Sequence, residues 1–356
     1  MNGVFSFDQA KILSQKYSIL YGFLDMRSIR RKRKIGFEKK LIHGLELIGL
    51  NIPVGRIPKK FFIPLQDFFM KILMKRIAKE ESRINIIHTH FFDLSHSVLK
   101  NKSIIKAKYI LTEHASSMNS LSISDFDKKI ANYAYTNSDV NLAVSKPLIN
   151  SLFLNFKMNF KLLENVYDFK LFRFAEKHEK NDNFTFISIG SLINRKGMEL
   201  TIKSFYDAFG TESDKKLLII GDGPEKTNLS ILINKLNLEA SVNLLGQKTR
   251  EEISDLLRSS HVLILLSKRE TFGVVYIEAL ASGLPVIATV CGGPEDFIDT
   301  TNGYLIPQKD IYLVPKILKE IALNYDSFDQ KTISMDTYEK FGPEAFISKI
   351  EKIYFD

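Results

Sequence analysis

Cysteine occurs once, at Cys291. No disulfide can therefore close within the chain, and a cytoplasmic setting is the default expectation. Long apolar runs are also missing. FFIPLQDFFMKILM, residues 61–74, comes nearest to a membrane span but is broken by Gln66, Asp67 and Lys71. The N-terminus lacks the basic region, apolar stretch and cleavage site of a secretory leader. Glycine is missing where a dinucleotide loop would need it: in IIGDGPE the third position of the fingerprint is Lys226, which argues against a nicotinamide site. A complete metal-ligand set is absent too. His88 and His90 alternate along a strand with Asp93 nearby, but nothing completes the set. Asp125-Phe126-Asp127, a short acidic motif of the kind that can hold a metal, precedes KKIANYAYTNS, where acids favour a helix N-terminus, and capping is the better reading. No metal and no resident cofactor are expected.

The chain is 356 residues long, enough for two domains with substantial cores. Its net charge of +9 hides an asymmetry: residues 1–165 carry 27 Lys and Arg against 13 Asp and Glu, while the remainder is acidic. The basic half should face something anionic. Its densest run is RSIRRKRK, Arg27 to Lys34, and a second patch sets Lys59 and Lys60 beside Phe61, Phe62, Phe68 and Phe69. Either these phenylalanines are core and the run is a solvated loop, or they meet an anionic leaflet. No nucleic-acid-binding motif accompanies the charge.

Strand-like runs alternate with helical stretches: YSILYGF, INIIHTH, KYILTE and VNLAVS, then FTFISIG, KLLIIG, VNLLG, VLILLS and PVIATV. That alternation predicts an α/β protein with parallel sheets and helical crossovers, in two Rossmann-like domains. We place the domains at 1–170 and 171–341, with the charged stretch Glu176 to Asn183 as linker and a final helix over 342–356. The cleft between them is the natural site.

The chemistry concentrates in SKRETFGVVYIEALASGLPVIATVCGG, Ser267 to Gly293. A buried strand, HVLILLS, should feed a loop and then a helix with apolar spacing. The amides of Phe272, Gly273 and Val274 would lie at that helix's N-terminus, where unpaired N–H groups favour a phosphate. Glu270 precedes that position and Glu278 lies inside the helix. Each carboxylate can accept two hydroxyl hydrogens, which suits a sugar diol; the plainer reading has Glu270 complementing the helix dipole and Glu278 on an ordinary helix surface. After FTFISIG a polar loop holds Arg195 and Lys196, cations able to neutralise a diphosphate. His114 ends the strand-like YILTE, at the carboxyl edge facing the cleft.

The spacing Glu, seven residues, Glu, followed by ALASGLPVIAT, resembles glycosyltransferase family 4, the retaining glycosyl transferases group 1. The similarity continues through FISIGSLINRKGMELTIKSF, LLIIGDGPEKTNL, VNLLGQKTREEISDLL and NGYLIP, and more loosely through IIHTHF, YILTEHAS, DVNLAVSKPLI and ENVYDFKLF. The resemblance implies a GT-B fold, with the last helix packing back across the first domain. It implies transfer of a hexose-type sugar from a nucleoside diphosphate donor, UDP or GDP type, to a glycan or lipid-linked acceptor. The setting it suggests is cell-surface polysaccharide synthesis (lipopolysaccharide or capsule), at or peripheral to the inner membrane face. By the same resemblance Glu270 and His114 are catalytic. Glu278, Lys196, Arg195, Thr271, Phe272, Gly273, Val274 and Gly190 bind the donor, and retention needs no protein nucleophile. Two departures stand out. Ser191 occupies the place of an arginine, and the opening MNGVFSFDQAKILSQKYSILYGF resembles the stretch that comes after the family's first strand, so that strand reads as missing. A non-catalytic nucleotide-sugar-binding subunit is therefore the second reading, and a GT-B epimerase acting on the free donor a third.

Overall fold

The structure is a computed structural model describing residues 4–26, 34–55, 57–120, 122–176, 180–211 and 214–355. It divides into two compact units, Met1–Asn165 with Phe346–Asp356, and Val166–Ala345. The division precedes the stretch at 176–183 read as a linker, because Tyr167 and Phe172 are buried in the second unit. Most of the run Arg27 to Lys34 lies outside the described residues.

The first unit contains α1 (Val4–Leu13), β1 (Leu20–Asp25), β2 (Gly36–Ile42), β3 (Leu45–Asn51), α2 (Lys59–Glu80), β4 (Ile86–His90), α3 (Phe92–Lys100), β5 (Lys108–Glu113), α4 (Asp125–Asn137), β6 (Val140–Ala143), α5 (Lys146–Phe156) and β7 (Lys161–Leu162). Its strands form two sheets, β1-β3-β2 and β4-β5-β6-β7. Among the described residues β1 pairs only with β3, and β4 only with β5. The second sheet is wholly parallel; in the first, β2 runs antiparallel to β3, a departure from the all-parallel expectation. The hairpin turns at His43 and Gly44, both at positive φ, as a tight two-residue connection demands.

Helix α1 packs Phe7 and Ala10 against Leu45, Leu47, Tyr21 and Phe23. Helix α4 starts at Asp125, with the Ser124 side chain accepting from the Asp127 amide, so Asp125 and Asp127 serve the helix start. The last residues of α12 (Pro343–Phe355) belong to this unit: Glu351 pairs with Lys16, and Lys108 donates to the Ile353 carbonyl.

The second unit contains β8 (Thr185–Ile189), α6 (Met198–Phe209), β9 (Lys216–Ile220), α7 (Lys226–Lys235), β10 (Val242–Gly246), α8 (Arg250–Ser259), β11 (Val262–Leu265), α9 (Val274–Ala281), β12 (Val286–Thr289), β13 (Gly303–Ile306), α10 (Val314–Leu323) and α11 (Gln330–Phe341). One parallel six-stranded sheet runs β10-β9-β8-β11-β12-β13. TFISI, VLIL and VIAT are buried along their whole length, as strands covered on both faces must be. The order reverses direction between β8 and β11, and loops leaving adjacent strands at such a point part to make a crevice.

Candidate active site

Two loops meet at that reversal. The β8 loop carries Gly190, Arg195 and Lys196; the β11 loop carries Ser267, Glu270 and Thr271. Lys196 Nζ lies 2.5 Å from Glu270 Oε1, and Ser267 Oγ donates to the same oxygen at 2.8 Å. The Glu270 amide donates to the Cys291 carbonyl at 3.0 Å. Glu270 is only 6% exposed. A carboxylate so buried needs its cation and donors, because an unpaired charge there would cost several kcal/mol. Arg195 braces the same loop, its Nη1 donating to the Arg269 carbonyl at 3.1 Å. The stem of Lys196 passes 3.5 Å from where a Cβ on Gly190 would stand.

The β9 loop locks onto the β8 loop. Gly221 has φ +143°, and a Cβ there would stand 1.8 Å from the Gly190 carbonyl oxygen. Only glycine permits this approach, so the glycines of IIGDGPE serve loop packing.

Helix α9 begins at Val274, with Gly273 before it at φ +88°. Glu270 therefore precedes the helix, and the first turn contains no acid, which sets aside the dipole reading. The Phe272 ring is buried against Phe297 and Phe341, fixing the entry to the helix. Its buried Tyr276 donates to the Leu265 carbonyl at 2.8 Å, tying α9 to β11. Glu278 is half-buried and pairs with Arg250 Nη2 at 3.3 Å, so it is no ordinary surface residue. The structure thus gathers Gly190, Arg195, Lys196, Glu270, Thr271, Phe272, Gly273, Val274 and Glu278 onto neighbouring loops and one helix of the second unit. Together they offer cations, a glycine-led helix start and carboxylates.

His114 belongs to the first unit, follows the carboxyl end of β5 and is 6% exposed. Phe5 stacks on its ring at 4.2 Å, and its Nε2 lies 2.9 Å from His90 Nδ1. His88 stacks on His90 and bonds Tyr354 through Nδ1 and Thr112 through Nε2. Burial depresses all three histidines, His90 to about 4. Asp93 accepts from the Leu94 amide. Glu113 accepts from the amides of His114 and Ala115 and from Tyr135 Oη, which shapes the loop carrying His114; burial pushes its carboxyl up to about 7. Among the described residues no group of His, Cys, Asp and Glu is arranged to hold a metal.

Sequence reasoning missed Arg250, Ser267 and Glu113, and weighed His90 only as half of a metal pair. For Arg250 a signal exists, since T-x-x-E at 249–252 marks a capping box and places Arg250 at the helix start. Nothing in the spacing reveals its partner.

A family model described as glycosyl transferases group 1 matches residues 169–332. N-acetyl-alpha-D-glucosaminyl L-malate synthase of Bacillus anthracis is 30% identical over 315 residues, covering 83% of this chain and 81% of that protein. The chain belongs to the glycosyl transferases group 1. An uncharacterized glycosyltransferase of Methanocaldococcus jannaschii is likewise 30% identical, over 79% of this chain and 77% of its own. The fold of this glycosyltransferase is GT-B. Sucrose-phosphate synthase from Thermosynechococcus elongatus superposes with TM-score 0.81 at 18% identity, over 99% of this chain and 92% of that one. Anabaena HepE, solved in complex with UDP, gives 0.71 at 18% identity, over 87% and 86%. Among the described residues no helix of the glycosyltransferase is long and apolar enough to cross a membrane.

Proposed function

We propose that this glycosyltransferase is a retaining enzyme that moves a hexose from a nucleoside diphosphate donor, UDP or GDP type, to a glycan or lipid-linked acceptor in cell-surface polysaccharide synthesis. The observation that carries the reading is the buried Lys196–Glu270–Ser267 cluster at the sheet's reversal, one loop ahead of a glycine-led helix that carries Glu278. In this reading Glu278 takes the ribose hydroxyls. The amides at Phe272 to Val274, with Lys196 and Arg195 and beside Gly190 and Thr271, hold the diphosphate. Glu270 holds the sugar's hydroxyls and sets the anomeric carbon toward the acceptor. The bond from that carbon to phosphate oxygen breaks as the bond to acceptor oxygen forms on the same face, and the acceptor's proton passes to the departing phosphate.

Relatives named for lipid acceptors support the acceptor class. One is the phosphatidylinositol N-acetylglucosaminyltransferase of Arabidopsis thaliana, whose matching polypeptide is 22% identical over 76% of this chain. Another is alpha-monoglucosyldiacylglycerol synthase of Acholeplasma laidlawii, 24% identical over 86%. An exposed basic and aromatic stripe supports it too. On α2, Lys60, Phe61, Pro64, Phe68, Lys71 and Lys75 are all exposed and fall on one helical stripe. This pairing of lysine with aromatic rings suits an anionic leaflet on the cytoplasmic side.

Calorimetric titration with UDP, GDP and ADP, with Glu278→Ala as control, tests the donor site. One nucleotide should bind selectively and lose affinity in the variant. Equal affinity of the variant would overturn the assignment of Glu278, and binding without transfer to any acceptor would favour the non-catalytic reading.

A further inference from the structure

Arg250 stands at the first position of α8, where the positive end of the helix dipole disfavours a cation. The helix start does not need it. Thr249 Oγ1 accepts from the Glu252 amide at 3.2 Å, and Glu252 Oε2 accepts from the Thr249 amide at 2.7 Å, which completes a capping box. The Arg250 side chain instead extends to the carboxylate of Glu278 on α9, 28 residues along the chain and past β11 in sequence. Its guanidinium also lies over the ring of buried Phe172, 5.6 Å from the centroid. Phe172 thus fixes the long side chain in advance, removing the rotamer freedom it would otherwise lose on binding.

The contact has two consequences for Glu278. A carboxylate offers roughly four acceptor positions, and the guanidinium, bonding at Oε1, fixes the plane in which they point. The cation also offsets a negative charge that would otherwise repel an incoming diphosphate. Glu270 has the same arrangement with Lys196, so each acid of the site comes with its own cation.

We propose that Arg250 is a positioning residue for the nucleotide's ribose, acting through Glu278: it orients the carboxylate that accepts the ribose hydroxyls and neutralises it beside the diphosphate. The proposal rests on the donor-site reading of Glu278 given above.

The test measures affinities of the full chain for UDP, GDP and ADP and for their 3′-deoxy analogues, and compares the ribose-to-deoxyribose ratio across variants. A hydrogen bond to a charged group predicts a wild-type ratio of about tenfold to a hundredfold for the preferred base. Glu278→Ala should bring that ratio to about twofold or less. Arg250→Met keeps an apolar stem over Phe172 and should lower the ratio to about threefold or less while leaving the nucleotide bound; Arg250→Lys should restore part of it. If Glu278→Ala leaves the ratio unchanged, the donor-site reading fails. If Glu278→Ala collapses the ratio and Arg250→Met does not, the positioning role alone fails. Complete loss of binding by a normally melting Arg250→Met protein would instead make Arg250 a direct nucleotide ligand and overturn the proposal. Should the Met variant not fold, the Lys variant decides, because a wild-type ratio there with a point cation in place of the planar fork would contradict orientation by the guanidinium.

Discussion

Lys196 Nζ and Glu270 Oε1 stand 2.5 Å apart, joining the loop after β8 to the loop after β11. Their side chains are 15% and 8% exposed, so the pair lies largely out of water. Removing either partner alone strands a buried charge, at a cost of about 3–5 kcal/mol. Lys196→Met and Glu270→Gln should each lower the urea midpoint, and the double variant should recover part of the loss. A double-mutant cycle on denaturation checks this, with a coupling above about 1 kcal/mol expected; simple additivity would mean that the pair contributes nothing to stability.

The same pair separates binding from chemistry. Glu270→Ala should lower sugar transfer by at least about 10³-fold while nucleoside diphosphate binding is largely retained, since the phosphate amides, Lys196 itself and Glu278 remain in place. Radiolabelled transfer and calorimetry on one preparation check both halves. Retained transfer would remove Glu270 from the reaction.

Backbone packing makes a sharper demand at Gly221 and Gly273. A Cβ on Gly221 would stand 1.8 Å from the Gly190 oxygen, and one on Gly273 would stand 2.5 Å from the Tyr276 ring. Both residues also have positive φ. Alanine at either position should cost at least about 2 kcal/mol. Of the two, Gly221→Ala should be the worse, because backbone cannot yield as a ring can. Thermal melts of the two variants check the order.

The strands of the second unit are legible because a strand buried on both faces is a continuous apolar run, as in TFISI, VLIL and VIAT. The β2–β3 hairpin is not. GFEKKLI leaves Leu41 exposed among charges, and its turn is His43-Gly44 in place of the usual Asn-Gly. Glu270, Lys196 and the helical Glu278 come to light through the family resemblance of the segments that carry them, since residue type alone fits a plain loop or helix surface equally well. Pairings across the sheet, Arg250 with Glu278 or His90 with His114, depend on strand order and loop path, and neither shows in local spacing. The burial of His114 under Phe5 is hidden for the same reason, because α1 is about a hundred residues away in sequence.

The first unit should respond to acid through its buried histidines. Burial depresses His88 and His114 and takes His90 to about 4, so the folded state binds fewer protons than the unfolded one. Their contribution is complete above the ordinary histidine value of about 6.5 and is lost as pH falls from there toward 4. Glu113 acts in the opposite sense. Raised to about 7, its carboxyl contributes stability below its ordinary value and loses it as pH rises through 7. Three histidines outweigh one carboxyl, so hydrogen-exchange protection of residues 86–114 should fall between pH 7 and 5. Glu113→Gln removes the opposing group and should steepen that fall, and His90→Asn should flatten it. Protection that rises toward acid would contradict the neutral state of the cluster.

The stripe on α2 makes a prediction about surfaces. Phe61 and Phe68 are 59% and 56% exposed, and Lys60, Lys71 and Lys75 lie along the same side of the helix. Each lysine near an anionic leaflet contributes about 1 kcal/mol, and each ring that leaves water contributes roughly 1.5–3 kcal/mol. The two parts respond differently to salt, because only the charge is screened; at 1 M the Debye length is about 3 Å. The full chain should therefore sediment with vesicles containing anionic lipid and only weakly with neutral ones. Lys60→Gln, Lys71→Gln and Lys75→Gln together should remove the preference for anionic vesicles and the salt dependence with it. Phe61→Ser with Phe68→Ser should weaken binding by about tenfold or more at any salt, since apolar insertion is unscreened. Absence of sedimentation with anionic vesicles, or a phenylalanine pair that can be replaced without effect, would assign the stripe to solvent and leave the acceptor to be found in solution.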